Sequence, residues 1–182
     1  RVGVARFPAD AQTASELLEA AQTARMGIPA TGEQVAIFTP EARAAALRKL
    51  AVESGLRHAA ARGELGLSYQ LQADLTTGEI AGAQVIMNWT SQTLGSVPGH
   101  EFVPIAMQTG LIVMLGDWKR EAVCQQLRAW EQEGVRVPRL SMRISQLELQ
   151  QPDMVEKLRQ NLLANSLQAQ ALGIEISEQA LF

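Results

Sequence analysis

The sequence predicts an α/β fold built on a largely parallel sheet. From about residue 80 onward, short apolar segments alternate with longer helical segments in the order β, α, β, α, β. This order is typical of parallel strands joined by helical crossovers. Two strand-like segments, 65–74 and 80–89, are separated only by a turn that contains Thr76 and Gly78. So short a connection requires an antiparallel hairpin, so the first strand of the sheet is expected to oppose the others.

Composition and charge exclude several other classes of protein. The chain has 182 residues, of which 47% are hydrophobic and 19% charged, and its formal net charge is −3. No long run of like charges is present, which argues against a nucleic-acid surface or a polybasic membrane anchor. Cys124 is the single cysteine, so neither an internal disulfide nor a cysteine-based metal cluster can form. The sequence contains no stretch of 18 apolar residues, so it predicts no membrane-spanning helix.

The first 62 residues predict a small unit followed by a linker helix. Thr13 and Glu16 have the spacing of a capping box at the start of a helix, and Pro40 suits the first position of another. The predicted elements are a strand at 1–7, a helix at 13–25, a loop at 26–33, a strand at 35–38 and a long helix at 41–62. The chain begins and ends inside strand-like segments, which is expected of a piece of a longer protein.

The remaining elements continue the alternation of strands and helices. Pro152 precedes a helical segment, and Cys124 lies on the apolar side of its helix, where we expect a buried, unreactive thiol. His58 and His100 have no nearby nucleophile or carboxylate in the pattern of a catalytic triad and are expected at the surface. The predicted elements are helices at 99–108, 111–134 and 153–165 and strands at 140–145 and 174–176.

Several ordered blocks of the sequence carry a distinctive pattern. The most specific is 97–112, which contains Pro98, Glu101-Phe102, Pro104, Ala106 and Thr109-Gly-Leu-Ile112. The other blocks are 3–8, 63–78 with Tyr69-Gln70 and Thr77-Gly78, 80–89 ending in Trp89, 140–145, and 174–178. Together they resemble the end of a GGDEF domain joined by a helix to the first half of an EAL domain, as found in bacterial cyclic-di-GMP signalling proteins.

The resemblance implies an EAL-type modified TIM barrel whose first strand is antiparallel, preceded by the last strand and helix elements of an α+β GGDEF domain. The implied domains are a GGDEF remnant at 1–40, a linker or lead helix at 41–62, and the N-terminal half of an EAL-like domain at 63–182. A TIM barrel needs about 250 residues to close, so the barrel is incomplete here. Residues 20–25 lack the Tyr and Lys usual in the matching GGDEF helix.

The resemblance also implies a chemistry and a set of site residues. The family hydrolyses one phosphodiester of cyclic-di-GMP with two Mg²⁺ or Mn²⁺ ions, at the C-terminal ends of the strands. Of the family's metal ligands, the Glu of Glu-Ala-Leu is here Gln84 and the Asn of Asn-Leu-Ser is Arg143, while Glu175 keeps its carboxylate. A phosphate-binding Arg is replaced by Asn88, and the ligand-contacting Gln is kept as Gln70.

These substitutions indicate a catalytically degenerate signalling module, with no catalytic residue and no expected cofactor. The candidate ligand-binding residues are Gln70, Gln84, Asn88 and Arg143, and Glu175 is a relic metal ligand. Gln84 and Arg143 can also be ordinary barrel residues, or Arg143 can bind a phosphate in place of the metal charge. The alternative is an active phosphodiesterase with substituted ligands, which would need Mg²⁺ or Mn²⁺.

Expected partners are cyclic-di-GMP and a second copy or another signalling protein, without nucleic acid or membrane contact in this segment. The expected location is the cytoplasm, including the cytoplasmic part of a membrane-anchored sensor.

Overall fold

The structure is a computed structural model that describes residues 1–28, 34–135 and 137–178. It divides into two compact units, Arg1–Ser54 and Gly55–Phe182. Most of the loop predicted at 26–33 lies outside the described residues. None of the helices within the described ranges is both long enough and apolar enough to cross a membrane.

The first unit contains a two-stranded parallel sheet with a helical crossover. Strand β1 (Val2–Val4) pairs in parallel with β2 (Val35–Ile37), and helix α1 (Ala14–Met26) comes between them in the chain. The predicted capping box is confirmed, because the Thr13 hydroxyl accepts from the Glu16 amide and the Glu16 carboxylate accepts from the Thr13 amide. A Cβ atom on Gly3 would lie 1.8 Å from the Ala21 carbonyl oxygen, so α1 packs directly on β1.

Helix α2 (Pro40–Ala59) runs across the boundary between the two units. It begins at the predicted proline, and the Ala42 amide donates to the Thr39 hydroxyl at 3.1 Å. It ends three residues earlier than the predicted Arg62. The chain then turns at Gly63 into the sheet of the second unit.

The second unit contains the predicted mixed sheet. Its central path runs β3 (Leu65–Ala73), β4 (Ile80–Ser91), β6 (Leu140–Ile144), β7 (Leu172–Ile176), and only the β3–β4 pair in this path is antiparallel. The antiparallel first strand and the parallel crossovers are therefore confirmed. A further short strand that the sequence did not predict, β5 (Gly95–Val97), pairs with the end of β4.

The helices of the second unit follow the predicted order. They are α3 (Gly99–Thr109), α4 (Leu111–Gln132), α5 (Gln146–Leu149), which the sequence did not predict, and α6 (Met154–Ala164). Gly110 separates α3 from α4 with a φ of 74°, a left-handed conformation that glycine adopts without a Cβ penalty. A single 3₁₀ turn, Ala169–Ala171, leads into β7.

One face of this sheet forms the main core, and the opposite face carries the polar residues. The core face packs against α4, and Tyr69 on β3 meets Trp130 edge to face, with ring centroids 4.7 Å apart. Its fully buried apolar members include Ala83, Leu140, Met142, Ile144, Val123 and Cys124. Because side chains alternate along a strand, the intervening residues of β4 and β6 face the other way, where the candidate site lies.

Candidate functional site

Strand alternation and register bring four of the predicted site residues onto one face of the sheet. Gln70 on β3 pairs with Gln84 on β4, and Gln84 pairs with Ser141 on β6. Two residues further along β6, Arg143 pairs with Glu175 on β7. Paired residues of neighbouring strands point to the same face, and so do residues two apart on one strand. The polar residues of this face therefore include Gln70, Gln72, Gln84, Ser141, Arg143 and Glu175, with Asn88 further along β4.

Glu175 is bound by two glutamine side chains. The Gln84 amide nitrogen donates to one carboxylate oxygen of Glu175, and the Gln72 amide nitrogen donates to the other at 3.4 Å. An ionised carboxylate accepts hydrogen bonds and donates none, so both amides must present their NH₂ groups to it. The sequence prediction included Gln70 and missed Gln72, although the two-residue spacing places both on the same face.

Arg143 presents its side chain to the open face and its backbone to a buried lysine. The Lys119 ammonium donates to the Arg143 carbonyl oxygen at 2.6 Å, which holds the end of β6. The Arg143 side chain is exposed, and within the described ranges the guanidinium has no hydrogen-bond or ion-pair partner. The backbone of Arg143 is therefore held in place, while its guanidinium remains available to a ligand.

A cavity of about 580 Å³ lies beside Arg143. Its lining comes from α3, the first half of α4, the middle of β4, the end of β6 and the residues that follow β6 and β7. The lining includes Val103, Met107, Gln84, Lys119, Arg143 and Ser177. Its volume is in the range of small-molecule sites, and its wall combines apolar surface with two cationic side chains and the Glu148 carboxylate.

A buried charge cluster lies behind the end of β6. The Glu148 carboxylate, 1% exposed, accepts from Arg120 at 3.3 Å and lies 3.6 Å from the Lys119 ammonium. Its other oxygen accepts from the Ser145 amide at 2.8 Å and the Ser145 hydroxyl at 2.7 Å. Burial lowers the pKa of Lys119, and the nearby Arg120 lowers it further, while Glu148 opposes both effects. Glu148 is therefore the group that opposes the lowering of the Lys119 pKa.

One residue of the predicted site, Asn88, lies apart from this group, and the residues predicted to have no catalytic role also lie elsewhere. Asn88 lies four residues beyond Gln84 on β4 and pairs with Gly66, which places it about 13 Å along the strand from Gln84. His58 and His100 are exposed, as predicted. Cys124 is fully buried, and burial raises the pKa of its thiol to about 11.

Comparison with known proteins identifies the family. Residues 53–182 match the EAL domain, which is more than half of the chain. The chain belongs to the EAL domain family. The solved structure titled "PaMucR Phosphodiesterase, c-di-GMP complex" is 29% identical and superimposes with a TM-score of 0.68, over 72% of this chain and 53% of that chain. The α/β fold is thus that of an EAL domain, in partial form.

Relatives of this EAL domain extend well beyond the matched region. The bifunctional diguanylate cyclase/cyclic di-GMP phosphodiesterase MucR of Pseudomonas aeruginosa is 30% identical over 178 residues, covering 97% of this chain and 26% of MucR. The cyclic di-GMP phosphodiesterase PdeR of Escherichia coli is 27% identical over 181 residues, covering 99% of this chain and 27% of PdeR. The chain thus spans about a quarter of the length of these two relatives.

The described side chains of this EAL domain do not form a set of ligands for a pair of divalent cations. Mg²⁺ and Mn²⁺ prefer carboxylate and other oxygen ligands. Of the three positions that the resemblance assigns to metal ligands, only Glu175 is anionic, and both its oxygens accept from glutamine amides. Arg143 places a permanent positive charge directly beside it in the sheet. No group of three or more His, Cys, Asp or Glu residues in the described ranges is arranged to hold a metal ion.

Lys119 and Glu148 are parts of the site region that the sequence analysis missed. Lys119 falls within an amphipathic helix, where a lysine is ordinarily exposed, yet it is only 8% exposed. Glu148 could have been found, because Ser145 and Glu148 have the spacing of a capping box and the structure contains one there. The sequence indicated the cap spacing but did not indicate the two cations that the same carboxylate meets.

Proposed function

We propose that this EAL domain is a catalytically degenerate signalling module that acts as a cyclic-di-GMP receptor or as a protein-interaction regulator. The observation that carries the proposal is the pairing of Arg143 with Glu175 in adjacent strands, at two positions where the resemblance expects metal ligands. The named activities of MucR and PdeR and the ligand in the MucR complex support cyclic-di-GMP as the molecule to test.

The electrostatic cost of a metal at this position supports the proposal. Neighbouring strands are about 4.8 Å apart, so a dication held by Glu175 would meet the positive charge of Arg143 from the adjacent strand. The repulsion between charges of +2 and +1 at a separation of about 5 Å is about 2 kcal/mol in water and several times more where water is excluded. Gln84 adds no negative charge to offset it. Two-metal phosphodiester hydrolysis needs both cations to be bound, so this arrangement disfavours it.

The alternative is an active, metal-dependent phosphodiesterase with substituted ligands. It is favoured by the named activities of the relatives and by the retained carboxylate of Glu175. Under this alternative, Gln84 and Arg143 are working parts of the site. Replacing them, as Gln84→Glu and Arg143→Asn, would then lower the activity.

Hydrolysis of cyclic-di-GMP in the presence of Mg²⁺ or Mn²⁺ tests the proposal. We expect no turnover above a protein-free control, and robust turnover would refute degeneracy. The double variant Gln84→Glu/Arg143→Asn distinguishes the two proposals. If the wild-type domain is an active phosphodiesterase, the double variant should have a lower hydrolytic activity. If the wild-type domain is degenerate, there is no activity for the substitutions to lower.

Calorimetric titration with cyclic-di-GMP then separates the receptor from the regulator. Binding by the wild-type protein supports the receptor form. No detectable binding supports action through protein contacts alone. The proposal further includes residues 1–40 as the end of a GGDEF domain, a homodimer or another signalling protein as partner, and a cytoplasmic location.

A further inference from the structure

The two glutamines that bind Glu175 have a consequence for Arg143. We propose that Gln72 and Gln84 form a clamp on the Glu175 carboxylate, and that this clamp keeps Arg143 available to a phosphodiester without a divalent cation. The name "glutamine clamp" is used below for Gln72 and Gln84 around Glu175. The identity of the ligand rests on the proposed function, whereas the clamp itself does not.

The clamp occupies both oxygens of one carboxylate. Gln84 donates to one oxygen and Gln72 to the other, the latter at 3.4 Å. The two glutamines come from β4 and β3 and Glu175 comes from β7, so the clamp crosses the whole width of the sheet path. The bond between Gln84 and Glu175 is partly buried, so loss of its partner would leave an unsatisfied polar group there.

Arg143 and Glu175 would be expected to form an ion pair. They are register partners on adjacent parallel strands, and opposite charges at such positions attract each other. Within the described residues, however, Arg143 has no side-chain partner, while Glu175 is bound by the clamp. The clamp thus satisfies the carboxylate by hydrogen bonds and leaves the guanidinium donors unused.

The free guanidinium suits a phosphodiester group. Its planar set of N–H donors can bind two oxygens of a phosphate at once and carries a permanent charge. Arg143 lines the 580 Å³ cavity together with Lys119, Glu148, Ser145 and Ser177. Lys119 is paired with Glu148, so Arg143 is the cation that the cavity offers to an anion. The cavity therefore offers one guanidinium, unpaired within the described part of the chain, and two hydroxyl groups to an anion, and the guanidinium supplies positive charge without a metal.

Side-chain amide NMR tests the clamp without any ligand. The NH₂ resonances of Gln72 and Gln84 should both shift when the acceptor is removed by Glu175→Ala. The Gln125 amide, which donates to the exposed carboxylate of Glu121 at 3.1 Å, is the matched internal control and should not shift. Unchanged Gln72 and Gln84 resonances would overturn the clamp.

Calorimetry with cyclic-di-GMP in EDTA tests the consequence for Arg143. We expect binding by the wild-type protein and a loss of affinity of at least about tenfold in Arg143→Ala, the cost of one charge-assisted hydrogen bond. Gln72→Ala should weaken binding about threefold or more, because the released carboxylate turns to Arg143. Adding Glu175→Gln to Gln72→Ala should restore the affinity. Gln125→Ala is the control and should bind as the wild type does.

The outcomes distinguish failure of this inference from failure of the proposed function. Equal affinity of the wild type and Arg143→Ala, or no rescue by Glu175→Gln, would overturn the role of the clamp while leaving a cyclic-di-GMP receptor. Binding that requires Mg²⁺ or Mn²⁺ would overturn the metal-free site. Absence of binding with and without metal would overturn both the receptor and the role of Arg143. Hydrolysis would overturn the proposed function, and the amide resonances would still decide the clamp.

Discussion

Replacing Glu148 with glutamine is expected to destabilise residues 55–182 by about 3 to 5 kcal/mol. The change keeps the size of the side chain and removes its charge. Glu148 is 1% exposed, and its carboxylate is the acidic partner of both Lys119 and Arg120, whose side chains are 10% and 2% exposed. Without it, Lys119 loses the carboxylate that it pairs with, whereas Arg120 keeps its pair with Asp117. Breaking a buried ion pair at one side costs this much because an uncompensated charge is left in a poorly solvated place.

The hydrogen bonds of Glu148 place the effect in the upper part of this range. Its two oxygens accept from Arg120 on one side and from the Ser145 amide and hydroxyl on the other. A glutamine has one acceptor oxygen, so its NH₂ group must face donors on one of the two sides. A loss of this size is a large fraction of the 5 to 15 kcal/mol that stabilises an ordinary domain.

Urea denaturation followed by tryptophan fluorescence measures this change. Trp89, Trp118 and Trp130 are the only tryptophans in the chain, and all three lie in the second unit. The matched control is Glu131→Gln on α4, because Glu131 pairs with Arg128 at 3.3 Å with both side chains more than 40% exposed. Such a surface pair contributes about 0.2 to 1 kcal/mol.

A double variant checks the reason for the effect. Lys119→Met removes the cation that Glu148→Gln leaves without a carboxylate, so in the Glu148→Gln background it should recover at least about 1 kcal/mol. A loss below about 1 kcal/mol in Glu148→Gln, or no recovery in the double variant, would refute the reasoning. Either result would mean that the cluster is held by packing and not by charge.

Three further outcomes follow from the same unit. A Cβ atom on Gly116 would lie 2.0 Å from a Glu148 oxygen, so Gly116→Ala should destabilise the protein in urea, whereas Gly66→Ala, with open space around it, should not. The pKa of the Cys124 thiol is raised from 9.0 to about 11, so at pH 8 its thiolate fraction is on the order of 100-fold lower than in the unfolded chain. Iodoacetamide should therefore modify Cys124 slowly until urea unfolds the protein. Equal rates of modification in the folded and unfolded protein would contradict this. Burial lowers the pKa of Lys119 below 10.5, so between the folded pKa and 10.5 the unfolded chain binds more protons than the folded chain. The free energy of unfolding should therefore rise with pH across this range. Lys119→Met should remove this part of the pH dependence.

The fold could largely be predicted from the sequence because its signals are local. Thr13 with Glu16, Thr39 with Pro40, and Gly110 each mark a helix end by side-chain or backbone chemistry. The short turn that contains Thr76 and Gly78 likewise predicts the antiparallel pairing of β3 and β4 from local sequence. The short elements β5 and α5 were missed, because three or four residues carry too little periodicity to be recognised.

The site could be predicted only in part because its contacts join distant parts of the chain. Alternation along β3 places Gln70 and Gln72 on one face, and the register of the hairpin adds Gln84 to that face. Both signals can be recognised in the sequence. The contact between Gln72 and Glu175 joins residues 103 positions apart, and no local pattern specifies it. Lys119 was missed for the opposite reason, since its type predicts exposure and a single buried carboxylate reverses that expectation.

The end of β6 connects the buried cluster to the open face of the sheet. Lys119 binds the carbonyl oxygen of Arg143, and both residues line the same cavity. Glu148 opposes the lowering of the Lys119 pKa by burial, so it also supports the bond that positions Arg143. Glu148→Gln should therefore lower both the stability and the affinity for an anionic ligand. Arg143→Ala should lower the affinity alone, because an exposed side chain contributes little to folding. Reduced affinity with unchanged stability in Glu148→Gln would separate the two roles and contradict this coupling.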